Sequence, residues 1–94
     1  MARRRYLVAY DIREPRRLRQ ICKLMEAHGE RMQYSVFIGD LTQAELIRLR
    51  GRSEEIMDLS VDSVAIVDLG NVDDARFTFI GRHHSLPERG GQIV

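Results

Sequence analysis

The chain has 94 residues, 44% of them hydrophobic and 31% charged, with a formal net charge of +1. At this length about 60–65% of the unfolded surface can be buried, which suits one small domain and excludes a second. Dense apolar runs exclude a disordered chain, none nears the roughly 18 residues of a membrane span, and a lone Cys22 excludes an internal disulfide framework or a cysteine-built zinc site. No signal-peptide core follows residues 1–5, so a cytoplasmic protein with no membrane partner is expected.

Residues 6–12 join aromatic, β-branched and aliphatic side chains and predict a first strand. Pro15 stands where a helix would start. Leu18, Ile21, Cys22 and Met25 then recur at helical spacing, with Arg16, Arg19 and Lys23 opposite and Gly29 as the expected stop. Residues 32–38 alternate as a second strand, with Gly39 and Asp40 as its turn. Thr42 and Glu45 form a capping-box pattern opening a second helix, whose inner face is Leu46, Leu49, Ile56 and Met57. Residues 62–69 predict a third strand and 76–81 a short fourth.

The order is read as βαββαβ, an α+β ferredoxin-like fold with an antiparallel four-stranded sheet and two helices on one face. Residues 1–81 form the domain. Residues 82–94 are a tail, either without structure or an extra edge strand contacting a partner through Ile93 and Val94. Tyr6, Val8 and Tyr10 alternate with Leu7 and Ala9, and Val64 and Ile66 with Ala65, Val67 and Leu69, so both sheet faces are apolar. Two helices cover only one face. A second copy of the chain, packed sheet to sheet, is the expected cover for the other.

Charge is unevenly spread. Residues 1–31 hold nine basic side chains against four acidic ones, and the remainder six against ten. Fourteen of the fifteen cations are arginine, whose planar fork suits phosphate, so a polyanion partner is expected.

Asp11, at the end of the first strand and before an arginine-rich turn, has two readings. A strand-end carboxylate beside guanidinium groups can hold a magnesium ion while the arginines hold phosphate oxygens. It can equally form a local ion pair with Arg13, Arg16 or Arg17, or cap the helix. Arg13, Arg16, Arg17, Arg19 and Arg31 are either contacts to a nucleic-acid backbone or a solvated face. Arg3, Arg4 and Arg5 read as a basic arm. Gln33 and Ser35 can line a subunit seam or a groove, while Tyr34 and Phe37 are expected in the core or an interface. His83 and His84 lack a second pair at zinc-ligand spacing, and Cys22 reads as a packed thiol. Gly39, Gly51, Gly70 and Gly81 are isolated, so no glycine-rich phosphate loop is present.

Tyr10-Asp11-Ile12, the run Arg16-Arg17-Leu18-Arg19, and the segment from Gly29 through Arg31 and Gln33 to Phe37 together resemble the CRISPR-associated protein two family. That family is the small dimeric subunit of the spacer-acquisition machinery. The resemblance covers residues 5 to about 81. It implies a ferredoxin-like homodimer and a magnesium-dependent endonuclease acting on single-stranded RNA or double-stranded DNA. Asp11 matches the family's metal-binding and catalytic aspartate. Arg17, Arg19 and Arg31 match its backbone contacts and Phe37 the aromatic of its second-strand motif; Arg16 is expected among the nucleic-acid contacts, and Tyr10, Gln33, Ser35 and Phe37 in support or at the interface. A CRISPR integrase subunit is the implied partner, in a prokaryotic cytoplasm. Three other readings stand beside it: a non-catalytic DNA scaffold for that integrase, a virulence-associated toxin ribonuclease of the same architecture, and a ligand-sensing module.

Overall fold

The structure, a computed structural model, describes residues 2–82. The predicted roles of His83, His84 and the tail's last residues lie outside that range. In chain order the elements are β1 (Arg4–Asp11), α1 (Pro15–Glu26), β2 (Glu30–Gln33), β3 (Val36–Leu41), α2 (Gln43–Ile56) and β4 (Ser63–Asn71). They form one antiparallel sheet in the order β2-β3-β1-β4.

Both helices begin on side-chain caps. The Glu14 carboxylate accepts from the backbone N–H groups of Arg16 (3.0 Å) and Arg17 (2.9 Å), with Pro15 opening the first turn. Thr42 and Glu45 complete the reciprocal capping box expected for α2. The inner faces also follow the sequence pattern. Ile21 and Met25 of α1 and Leu49 of α2 are buried, and Leu18, Cys22, Leu46, Ile56 and Met57 pack around them. They meet Tyr6, Val8 and Tyr10 of β1 and Ile12 just beyond it, with Phe37 and Leu41 of β3. Full burial of a side chain such as Ile21 stabilises the fold by about 1.5–3 kcal/mol.

The four strands are not the four suggested by the sequence, whose segments as delimited run β-α-β-α-β-β. The expected βαββαβ order arises because residues 30–41 form two strands and residues 76–81 none. Residues 32–38 do not run as one strand. The chain folds back at Tyr34 and Ser35, pairing Gln33 with Val36 and Arg31 with Phe37. No non-glycine residue among those described has positive φ, so this two-residue turn lacks the left-handed geometry that matches strand twist. A register shift between Arg31 and Gln33 takes up the mismatch. Gly39 and Asp40 lie inside β3 and make no turn. Residues 76–81 form no strand; Phe77 and Phe79 stack there with ring centroids 6.1 Å apart. The hairpin supplies the strand that this segment does not.

Gly29 ends no helix in left-handed geometry: α1 closes at Ala27 in right-handed conformation. A Cβ on Gly29 would collide with the backbone carbonyl of Ile38, and one on Gly39 would lie 2.9 Å from the His28 carbonyl oxygen. The two glycines let the α1–β2 turn lie directly on β3.

On the sheet face away from the helical core, Leu7 and Ala9 adjoin Ile38 and Val36 on one side and Val67 and Ala65 on the other. Ile38 is fully buried, whereas Val67 is 47% exposed. On the same face Arg5 and Asp40 form a buried bidentate pair, with Nε–Oδ1 at 2.7 Å and a second contact at 2.8 Å. The expected basic arm is therefore locked into the fold: Arg3 pairs with Glu45 (2.6 Å) and Arg4 with Asp68 (3.0 Å).

Candidate functional site

Asp11 is the last residue of β1, on the face with Leu7 and Ala9, opposite Ser63 of β4. Its side chain is exposed and makes no hydrogen bond or ion pair among the described residues. Neither local alternative for it is realised. Glu14 caps α1, and the nearest paired arginine, Arg17, turns to Asp62.

Tyr10 pins the neighbouring hairpin to this end of the sheet. Its backbone N–H donates to the Ser35 carbonyl (3.1 Å), and its hydroxyl donates to the Tyr34 carbonyl (3.3 Å). The ring is buried, stacks on Phe37 at 5.9 Å and lies with its hydroxyl 3.0 Å from the Cys22 sulfur. Burial, together with the Cys22 contact, pushes the phenol well above its ordinary pKa, so it is neutral at physiological pH. Phe37 is core, as expected. Tyr34 is not: carried on the turn, it is 76% exposed. Ser35 lies half-buried in the turn, and Gln33 is exposed at the end of β2.

The arginines separate into two groups. Arg16 and Arg19 are exposed on α1 with no ion pair among the described residues, and Lys23 continues their row. Spacings of three and four residues place the three charges about 4.5 and 6 Å apart along the helix axis. Arg31 lies on the other face of the sheet from Asp11. Its guanidinium sits 5.5 Å above the Phe37 ring and donates to the Cys22 sulfur at 3.3 Å. The structure thus gathers Asp11, Tyr10, Ser35 and the start of α1 at one sheet end, and leaves Arg31 on the helical side.

Arg17 differs from both groups. Its Nε donates to Asp62 Oδ2 at 2.7 Å and a terminal nitrogen lies 3.3 Å from Oδ1. Asp62 also accepts from the backbone N–H groups of Arg13 (2.8 Å) and Asp58 (2.9 Å), and its side chain has no exposed surface. The Arg17 hydrogen bond holds the Asp62 carboxyl well below the usual carboxylate range, overcoming burial, with the two backbone donors adding to it. Sequence reasoning passed over Asp62 as the first residue of a strand, and over Lys23 as part of a solvated face. The row at positions 16, 19 and 23 was a readable signal for Lys23; Asp62 had none.

One chain supplies little for a cation. Among the described residues no three His, Cys, Asp or Glu side chains gather as ligands. Asp11 fits as one hard oxygen donor for magnesium, and a complete site needs more donors than the described residues gather beside it.

The model of the CRISPR-associated protein Cas2 family matches residues 4–77. The chain belongs to the Cas2 family. Two curated Cas2 relatives from Rhodospirillum rubrum, each named a CRISPR-associated endoribonuclease, are 34% and 36% identical to it. They align over 95% and 94% of this chain and 89% and 98% of their own lengths. Cas2 from Streptococcus pyogenes superposes with a TM-score of 0.73 at 34% identity, covering 82% of this chain and 99% of that one. A hypothetical protein from Thermus thermophilus reaches a TM-score of 0.81 at 30% identity, covering 90% and 99%. The βαββαβ arrangement is therefore the Cas2 fold, and no described helix is long and apolar enough to cross a membrane.

Proposed function

We propose that this chain acts as a cytoplasmic homodimer in prokaryotic CRISPR spacer acquisition, binding nucleic acid and hydrolysing phosphodiester bonds with magnesium at Asp11. The observation that carries this reading is the exposed carboxylate of Asp11 at a strand end, without a partner among the described residues although three arginines follow within six residues. It is supported by the relatives' name, endoribonuclease.

The dimer is supported by the apolar face of Leu7, Ala9, Ala65 and Val67, which the helical layer does not cover. Asp11 lies at the end of that face, so packing two sheets together would bring two Asp11 carboxylates to one axis. A magnesium ion bound there supplies charge neutralisation on the scissile phosphate and a water of lowered pKa. The two Asp11 side chains would hold that ion. Arg16 and Arg19, with Lys23, would position the flanking backbone and offset charge developing on phosphate oxygens. Arg31 would extend the basic track around the edge strand β2. Tyr10 fixes the Tyr34–Ser35 turn beside the site, and its raised pKa keeps it from serving as a base.

A second reading is favoured by one feature. The described residues place no general base next to Asp11, and His28 is occupied with the Leu24 carbonyl at 2.9 Å. On this reading the dimer is a scaffold that cradles duplex DNA for a separate integrase subunit. Labelled single-stranded RNA and duplex DNA, incubated with magnesium or chelator, separate the two. Hydrolysis predicts magnesium-dependent cutting that falls at least about 100-fold in Asp11→Asn. Absence of cutting, with salt-sensitive duplex binding unchanged in that variant, leaves the scaffold.

A further inference from the structure

We infer that Arg17 is a positioning residue and not a phosphate contact: closed on the buried carboxylate of Asp62, it forms a latch that sets Asp11 and the start of α1. The inference rests on the nucleic-acid reading above and changes which arginines carry it.

The latch ties two stretches of chain that flank Asp11. Asp62 immediately precedes Ser63, the cross-strand neighbour of Asp11. Its carboxylate takes the backbone N–H of Arg13, two residues beyond Asp11, and both forks of Arg17 in the first turn of α1. It also takes the N–H of Asp58, closing the loop that leads into β4. With no exposed surface on the carboxylate and four donors aimed at it, the guanidinium has little freedom to swing toward a ligand. Glu14 adds a second negative charge 3.9 Å from Arg17. The positive field left for phosphate comes from Arg16, Arg19 and Lys23, with Arg13 beside them and Arg31 extending the track. Lysine would keep the charge of Arg17 but not the planar fork that bridges both Asp62 oxygens.

The two roles predict opposite results for the full chain binding labelled duplex DNA and single-stranded RNA across about 50 to 200 mM salt. A phosphate contact contributes about one unit of salt slope. For a latch, Arg17→Ala and Asp62→Asn weaken binding alike and keep the wild-type slope. The double variant is then no weaker than either, Arg17→Lys does not restore affinity, and Arg19→Ala lowers the slope by about one. For a phosphate contact, Arg17→Ala lowers the slope, Arg17→Lys restores it, and Asp62→Asn tightens binding by freeing the guanidinium; that set overturns the inference. Amide hydrogen exchange in the free protein gives an independent reading, including for a variant with lowered stability. The latch requires the Arg13 amide to exchange at least about 10-fold faster in both single variants, and unchanged protection overturns it. If the wild type binds neither nucleic acid, the functional reading fails while exchange still decides the latch.

Discussion

Pairing divides the arginines of the N-terminal third. Arg3, Arg4, Arg5 and Arg17 each face a carboxylate, whereas Arg16 and Arg19 face none among the described residues. Burial decides what each pair contributes. Asp40→Ala would remove the carboxylate that faces the buried Arg5 guanidinium, and a loss of about 3–5 kcal/mol is expected in urea unfolding. Arg4→Ala removes a pair that is about half exposed and should move the urea midpoint far less than Asp40→Ala. Asp62 links the fold to pH. Its pKa falls from an unfolded value near 3.8, so its stabilisation is complete above that value and is lost as pH falls below it toward the folded one. Thermal melts from neutral to about pH 3 should therefore show a steeper fall in Tm for the wild type than for Asp62→Asn. Parallel slopes would show that the carboxylate is not held as described.

At the scale of elements, two glycines predict opposite responses to the same substitution. Gly29→Ala drives a methyl group into the β3 backbone and should destabilise by about 1–3 kcal/mol. Gly51→Ala, in the exposed middle of α2 with nothing within 4 Å, should stabilise by about 0.5–1 kcal/mol. Denaturant midpoints of the two variants check both signs. The same contrast shows what the sequence could disclose. Helices were legible because starts and apolar faces are local signals: Pro15, Thr42 and Glu45, Leu18 through Met25, although the α1 cap is Glu14 and not Asp11. The β2–β3 hairpin was not, because Tyr34-Ser35 lacks the Asn-Gly or glycine signal of a two-residue hairpin turn and its register is set by the neighbouring β1. Residues 76–81 carry a strand-like composition, yet β4 already occupies the place beside β1. Asp11 stood out at a strand end before arginines. Asp62 did not, because its partners lie 45 and 49 residues away.

For the whole molecule, layer composition matters most. One face of the sheet packs on two helices, and the other carries Leu7, Ala9, Ala65 and Val67 with Asp11 at its end. Placing a charge on that face, on the edge strand β4, should separate the proposed dimer without disturbing the helical core. Val67→Glu is expected to be monomeric by light scattering at micromolar concentration, with helical circular dichroism unchanged. A dimer persisting in that variant would place the subunit contact elsewhere and remove the reason for two Asp11 side chains to meet.

The most direct test of a site shared between two chains is a subunit-mixing experiment. Wild-type and Asp11→Asn chains are refolded together in varied proportion, and magnesium-dependent cleavage of single-stranded RNA is measured. Two Asp11 carboxylates serving one site predict a rate that follows the square of the wild-type fraction, so an equal mixture retains about one quarter. A linear decline, with about one half retained, would mean that each chain works alone. Absence of magnesium-dependent cleavage in the wild type would contradict hydrolysis at Asp11 altogether.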